Sequence, residues 1–209
     1  MSEPDTLADV FETIAPGVYH WTLFDNRIHS QTHSYAVETD DGLVLVDPLP
    51  LAEEFLPRIE NAVAICLTGR FHQRSAWRYQ QQFGIPVYAP RKGKGYEGTP
   101  DHLYDAGDTL PGGIQVIHAP GPTDAHYVFY RERPEGNVLF CADLLTRPGP
   151  DEHFRFVPSQ FMDEPAVTRD SVRKLLDLEI DILLPNHGDY VEGAVKEALQ
   201  EALEKDTGP

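Results

Sequence analysis

Apolar and polar residues alternate through much of the first half of the chain, which is the pattern of β-strands. These segments are rich in β-branched and aromatic residues, and turn signals such as Asp40-Asp41-Gly42 separate them. One segment, Ala62-Val-Ala-Ile-Cys66, is apolar throughout, as in a buried strand. The pattern predicts strands over residues 17–24, 32–38, 43–47, 62–67 and 86–89.

Helical spacing of apolar residues predicts helices over 51–59, 72–83, 164–178 and 192–205. Gly84 is expected to end the second of them. Further strands are predicted over 114–118, 126–131, 138–141 and 180–184, whereas 91–113 and 146–160 are rich in Gly, Pro or Asp and are predicted loops. Strands in two batches, each followed by helices, indicate two facing sheets with helices outside.

The length of 209 residues suits a single domain over 1–209, with a core from about residue 14 to 195 and short tails. The net charge of −17 argues against nucleic acid as a partner. No apolar run is long enough to cross a bilayer and the N-terminus does not resemble a signal peptide, so we expect a cytoplasmic protein. Cys66 and Cys141 lie in apolar runs and are predicted to be reduced core thiols.

Two motifs match known functional patterns in their letters, but neither is assigned a functional role. Gly93-Lys-Gly95-Tyr-Glu-Gly98 has the spacing of a dinucleotide loop, but turn residues follow it instead of a helix, which predicts a flexible loop. His29 and His33 are four residues apart within a predicted hairpin, where this spacing does not converge. We expect both to be exposed or half-buried strand histidines.

The polar residues that carry chemistry lie at strand ends. Four motifs follow one another there: Thr68-Gly-Arg-Phe-His-Gln-Arg74, His118-Ala-Pro-Gly-Pro-Thr123, Leu139-Phe-Cys-Ala-Asp143 and Leu184-Pro-Asn-His-Gly188. Their order and spacing resemble the metallo-β-lactamase superfamily, from about Val18 to about Val191. The resemblance implies the α/β class and a four-layer αββα sandwich. In that family the four motifs hold one or two metal ions, usually zinc.

The resemblance also places the family's metal ligands on this chain. With Thr68 as the anchor, the ligand positions of the first motif fall on Gly69, Phe71, Gln73 and Arg74, and that of the second falls on Pro122. Asp143 and His187 match the last two, although Ala142 replaces the glycine that usually precedes the aspartate. Gly, Phe and Pro have no donor atom, and arginine has no lone pair for a metal. Catalytic zinc normally needs three protein ligands, so we expect a degenerate site without a cofactor.

Three hypotheses about function follow. The leading one is a non-catalytic or metal-independent homologue, a pseudoenzyme that binds a small anionic ligand or a partner. The second is a metallohydrolase acting on an ester, thioester or lactone, with a mononuclear zinc site of Asp143, His187 and one of His72, His118 or His126. The third is a structural or partner-binding module.

The arginines of the first motif suggest what replaces the metal. Asp143 without a cation would be costly to bury, so we expect an ion pair of Arg74 with Asp143, near His187. Arg70, His72 and Arg74, near a helix N-terminus, could instead bind a carboxylate or phosphate metabolite. The alternative is that Arg70 and Arg74 only solvate the surface. The candidate vestigial or ligand-binding residues are Arg70, His72, Gln73, Arg74, Asp143 and His187.

Overall fold

In the computed structural model, which describes residues 3–205, the chain divides at Gly113 into two units, Met1–Gly113 and Ile114–Pro209. The single domain expected over 1–209 stays a prediction. No helix within residues 3–205 is long and apolar enough to span a membrane.

The first unit contains a seven-stranded sheet with its strands in chain order. The first four strands are antiparallel neighbours, and the last four pair in parallel. The strands are β1 (Glu12–Ala15), β2 (Val18–Asp25), β3 (Ser30–Thr39), β4 (Gly42–Val46), β5 (Ala62–Cys66), β6 (Val87–Pro90) and β7 (His102–Tyr104). Helix α1 (Ala76–Phe83) links β5 to β6, and a two-residue strand β8 (Thr109–Leu110) lies near the end of the unit.

In the second unit, five strands are hydrogen-bonded in the order β13-β12-β11-β10-β9. The pair β11–β12 is parallel and the other pairs are antiparallel. The strands are β9 (Ile114–His118), β10 (Tyr127–Arg131), β11 (Val138–Ala142), β12 (Ile182–Pro185) and β13 (Val191–Glu192). Helix α2 (Pro165–Leu175) joins the parallel pair, and α3 (Val195–Lys205) follows β13.

Each unit has its own apolar core. In the first, Trp21, Leu45 and Ile65 are fully buried in one cluster, and in the second Val128, Leu139 and Leu183 belong to another. Cys66 and Cys141 are free and buried, and burial raises the pKa of both thiols, so the prediction of reduced core thiols is confirmed. Thiols with raised pKa are unreactive, because the thiolate is the nucleophile.

Most predicted strands are confirmed, but three helix predictions are wrong in type or start. Residues 51–59 form a 3₁₀ helix over Glu53–Arg58 with Pro57 inside it, since proline lacks the N–H that an α-helix needs. The helix expected from His72 begins only at Ala76, and the one expected from Glu192 begins at Val195 after β13. Gly84, with φ 65°, ends α1 as predicted. The predicted 91–113 loop contains β7 and β8.

Candidate functional site

The first motif forms an irregular turn between β5 and α1. Thr68 follows the strand, Gly69 precedes a 3₁₀ turn over Arg70–His72, and Arg74 has φ 42°. A positive φ in a non-glycine residue is strained and interrupts a helix, which explains why α1 starts at Ala76. The candidate residues of the motif therefore lie in a turn that precedes the helix, and not in its first turn.

A buried hydrogen-bond network links this turn to the end of β4. Thr68 donates its backbone N–H to Asp47 Oδ1 at 2.8 Å and its hydroxyl to Asp47 Oδ2 at 2.5 Å. His72 Nδ1 lies 2.8 Å from Thr68 Oγ1 and 3.3 Å from Asp47 Oδ2. Because the threonine hydrogen points to Asp47, the proton shared with His72 must be carried by Nδ1. His72 is thus part of a network inside the first unit.

Arg74 is also buried, with 5% of its surface exposed. Its Nη1 donates to the backbone carbonyls of His33 at 2.6 Å and Asp47 at 2.9 Å, and lies 3.3 Å from Ser34 Oγ. A guanidinium is charged at every pH a protein survives and offers only donors. The expectation that Arg74 solvates the surface is therefore wrong: its side chain joins β3 and the end of β4 to the turn.

Gln73 occupies a ligand position of the family, and both ends of its amide are engaged. Its Oε1 accepts from the backbone N–H of Glu97 at 2.6 Å and from Trp77 Nε1 at 2.9 Å. Its Nε2 donates to the carbonyl of Arg70 at 2.8 Å and lies 3.4 Å from that of Gly95. A carboxylate accepts only and could not make the second pair of contacts. Gln73 thus fastens the turn to the segment around residue 95.

The predicted anion cluster is not one exposed surface. Arg70 is exposed and its guanidinium lies 4.2 Å from the ring centroid of Phe71, which is 57% exposed. His72 and Arg74 are buried in the contacts described above. Of the three residues, only Arg70 presents its charge to solvent.

In the second unit, the two ligand positions that the chain retains lie side by side. His187 Nε2 is 3.4 Å from Asp143 Oδ1. The Asp143 backbone N–H donates to His126 Nε2 at 3.2 Å, and His126 Nδ1 lies 2.8 Å from the carbonyl of Ala119. His126 is therefore the Nδ1–H tautomer, with its Nε2 lone pair already used. Ala142 has φ 50°, a conformation in which glycine is unstrained.

The other histidine considered as a third ligand points elsewhere. His118 Nε2 lies 2.6 Å from the carbonyl of Asp124, in the loop between β9 and β10. The expected ion pair between Arg74 and Asp143 joins residues of different units and stays a prediction.

Sequence reasoning missed a buried histidine pair. His20 Nε2 lies 2.7 Å from His33 Nδ1, and the two rings stack with centroids 4.9 Å apart. His33 is buried, so the expectation of an exposed or half-buried side chain is wrong for it, whereas His29 is exposed. Burial lowers the pKa of His20 to about 4. The two histidines meet because β2 and β3 are neighbouring strands. The only signal in the sequence was that each of these predicted strands contains a histidine.

The donor set does not fit the zinc ion that the resemblance implies. Within residues 3–205, no group of three or more His, Cys, Asp and Glu side chains is placed to hold a metal ion. The amide oxygen and nitrogen of Gln73 are both hydrogen-bonded to neighbouring residues. The Arg74 guanidinium is itself a cation and cannot bind a metal ion. Asp143 and His187 supply two ligands, one fewer than catalytic zinc normally has.

Comparison with known proteins identifies the family. The model of the metallo-beta-lactamase superfamily matches residues 51–187, so the chain belongs to that superfamily. The predicted αββα fold class is confirmed by this match and by similarity to solved structures. No curated protein matches the sequence.

Three solved structures illustrate the similarity. A metallo-beta-lactamase from Pontibacter korlensis aligns with a TM-score of 0.74 at 18% identity, over 94% of this chain and 99% of that one. The metallo-beta-lactamase FIM-1 from Pseudomonas aeruginosa, in its mono-zinc form, gives 0.69 at 18% over 98% of each chain. A metallo-beta-lactamase family protein from Thermus thermophilus gives 0.68 at 16%, over 92% of this chain and 80% of that one. At these identities the similarity concerns the fold.

Proposed function

We propose that this member of the superfamily works without a bound zinc ion and binds a small anionic molecule, so that conventional zinc-dependent hydrolysis is not its activity. The observation that most supports this is the position of Arg74. A permanent cation occupies a ligand position of the family and donates to the carbonyls of His33 and Asp47. A zinc ion beside it would meet like-charge repulsion in a buried site.

The rest of the turn supports the same proposal. Thr68 and His72 satisfy Asp47, and Gln73 satisfies the backbone of the neighbouring segment. These contacts tie the turn to β4 and to the segment around residue 95. What remains exposed at the turn is the positive charge of Arg70, which favours an anionic ligand.

The experiment is metal analysis by inductively coupled plasma mass spectrometry, on protein purified without chelator and dialysed against zinc. We expect less than about a tenth of an equivalent, since two ligands do not meet the requirement of zinc. Near one equivalent, lost in Asp143→Ala and His187→Ala but kept in Asp151→Ala at an exposed aspartate, would overturn the proposal.

A second candidate is a mononuclear zinc hydrolase for an ester, thioester or lactone. The 3.4 Å contact of Asp143 with His187 favours it, because these two side chains are already adjacent. It requires a third ligand, and His126 would have to give up its bond from the Asp143 N–H to serve. Zinc-stimulated hydrolysis of such a substrate, abolished in His187→Ala, would select this candidate.

A further inference from the structure

Positive charge is concentrated in one segment of the first unit. Arg91-Lys-Gly-Lys-Gly95 carries three of the 17 Lys and Arg residues and no acid, in a chain of net charge −17. Arg91, Lys92 and Lys94 are all exposed. An anion approaching this protein meets a repulsive field over most of its surface, so any anion site must depend on a local excess of positive charge.

Gln73 brings this segment to the turn that carries Arg70. Its Nε2 lies 2.8 Å from the Arg70 carbonyl and 3.4 Å from the Gly95 carbonyl, so the two backbones approach a single nitrogen atom. Its Oε1 accepts from the N–H of Glu97 and fixes the far side of the segment. The backbones of Arg70 and Gly95 thereby lie close together, and Lys94 directly precedes Gly95 in the chain.

The segment is held in shape by aromatic contacts. Tyr96 donates its hydroxyl to the Pro90 carbonyl at 2.9 Å, and its ring packs edge-on against Trp77, with centroids 6.4 Å apart. The N–H of Gly93 donates to the same carbonyl at 3.0 Å. Trp77 in turn donates to Gln73 Oε1. These contacts constrain the loop that the sequence predicted to be flexible, and a constrained loop loses less entropy when its lysines bind a ligand.

Two exposed cations beside the Gln73 contact are not neutralised within the unit. Among the described residues, neither Arg70 nor Lys94 forms an ion pair, whereas Arg91 binds Asp105 at 2.7 Å. The guanidinium of Arg70 is a planar group with several N–H donors, and it lies over the ring of Phe71. The ammonium group of Lys94 is a compact positive charge. Together they match a group with several oxygens and two negative charges.

We propose that Arg70 and Lys94, joined by Gln73, form a binding site for the phosphate group of a small phosphate monoester. This inference rests on the proposed function, because it names the site and the chemical class of its anionic ligand. The dianion of a phosphate engages both cations at once, whereas a single carboxylate carries one charge. The site uses the turn that holds metal in the family, but it lies on the exposed side of that turn.

The test is a titration of isotope-labelled protein with inorganic phosphate at pH 8, followed by amide NMR shifts at constant ionic strength, with sodium acetate as a second probe. We expect saturable shifts at Gly93 and Gly95, a dissociation constant on the order of 1 mM, and weaker acetate binding. The double variant Arg70→Gln/Lys94→Gln should bind phosphate about tenfold more weakly. Its matched control is Arg173→Gln/Lys174→Gln, which removes two exposed charges from α2 and should bind like the wild type.

A second pair of variants tests the connection made by Gln73. Gln73→Glu places a carboxylate against the Arg70 and Gly95 carbonyls and should weaken phosphate binding severalfold more than Gln81→Glu, the same charge change at an exposed position of α1. Equal binding by the two double variants would overturn the site while leaving anion binding intact. No saturable phosphate response in the wild type would overturn the inference. Zinc content separately decides whether the protein works without zinc, and acetate binding separately decides whether it binds another small anion.

Discussion

Arg74 is a permanent cation inside the first unit, and it donates to two backbone carbonyls and one hydroxyl. Three acceptors from β3 and the end of β4 converge on one guanidinium nitrogen, so the side chain connects segments that are distant in sequence. Buried hydrogen bonds to a charged group are stronger than neutral ones, and a carbonyl that loses its donor bears the full cost of desolvation. The stability of the turn therefore depends on this side chain.

We expect Arg74→Met to lower the free energy of unfolding by about 2–4 kcal/mol, because it leaves buried carbonyls without a donor. Urea unfolding followed by the fluorescence of Trp21 and Trp77, both in the first unit, measures the change. The control is Arg173→Met on α2, where an exposed ion pair with Asp170 is lost and less than about 1 kcal/mol is expected. Equal losses in the two variants would mean that Arg74 does not stabilise the turn.

Arg74 shows which properties of a single residue could be predicted from the sequence and which could not. The sequence predicts that a ligand position of the family holds a cation, because the motif can be aligned by its spacing. It could not predict that the cation is buried, since its acceptors belong to His33 and Asp47, which are distant in sequence. For Gln73 the sequence shows a neutral amide at a ligand position, but the bond that it accepts from the Glu97 N–H depends on how the later loop folds.

At the scale of elements, strands end in strained turns where the family places its site. Asp47 after β4 has φ 48°, and Ala142 at the end of β11 has φ 50°. Non-glycine residues are uncommon in this conformation and are held there by their surroundings. In the case of Asp47, the two bonds from Thr68 provide that constraint. Hydrogen bonds within the first unit thus hold the strained backbone at the end of β4.

The helices and strands also show why the ends of an element were harder to predict than its presence. Strands β3, β4 and β5 were predicted because their alternating or continuous apolar patterns are local. Strand β7 lies in a segment rich in Gly and Pro and forms by pairing with β6, which is a non-local contact. The late start of α1 follows from the φ of Arg74, which helical periodicity does not report.

The histidine pair connects β2 and β3 and makes their packing depend on pH. His20 faces His33 Nδ1 and the ring of Tyr35 from β3, and the exposed Glu12 of β1 lies 3.8 Å from its Nδ1. Burial lowers the pKa of His20 from 6.5 to about 4, so the folded state keeps this ring neutral where the unfolded chain binds a proton. The stability contributed by the neutral ring is complete above pH 6.5 and is lost as the pH falls towards 4.

We expect His20→Gln to reduce the loss of stability between pH 6.5 and pH 4 by up to about 3 kcal/mol, since each pKa unit corresponds to about 1.36 kcal/mol. Urea unfolding at a series of pH values measures the slope. His29→Gln, which removes an exposed histidine of the β2–β3 turn, should retain the wild-type slope. Parallel slopes for wild type and His20→Gln would show that another group causes the pH dependence.

At the scale of the whole molecule, the dominant property is charge. The chain has 34 acidic and 17 basic residues, which leaves a net charge of −17 near neutral pH. Self-repulsion of this size opposes the compact state, and its range is set by the ionic strength. The Debye length falls from about 30 Å at 0.01 M salt to about 10 Å at 0.1 M, so salt removes repulsion between distant acids first.

We therefore expect the midpoint of thermal unfolding at pH 7 to rise by several degrees when NaCl increases from about 0.01 M to about 0.5 M, because the screened charges are mostly of one sign. Differential scanning calorimetry measures the midpoint.

The control is the same salt series near pH 4.5, close to the ordinary pKa of carboxylates. Partial protonation there reduces the net charge and should make the effect of salt on the midpoint smaller. A midpoint at pH 7 that falls with added salt would mean that local ion pairs such as that of Arg91 with Asp105 outweigh the general repulsion. Such a result would also weaken the argument that an anion must be bound by a local excess of positive charge.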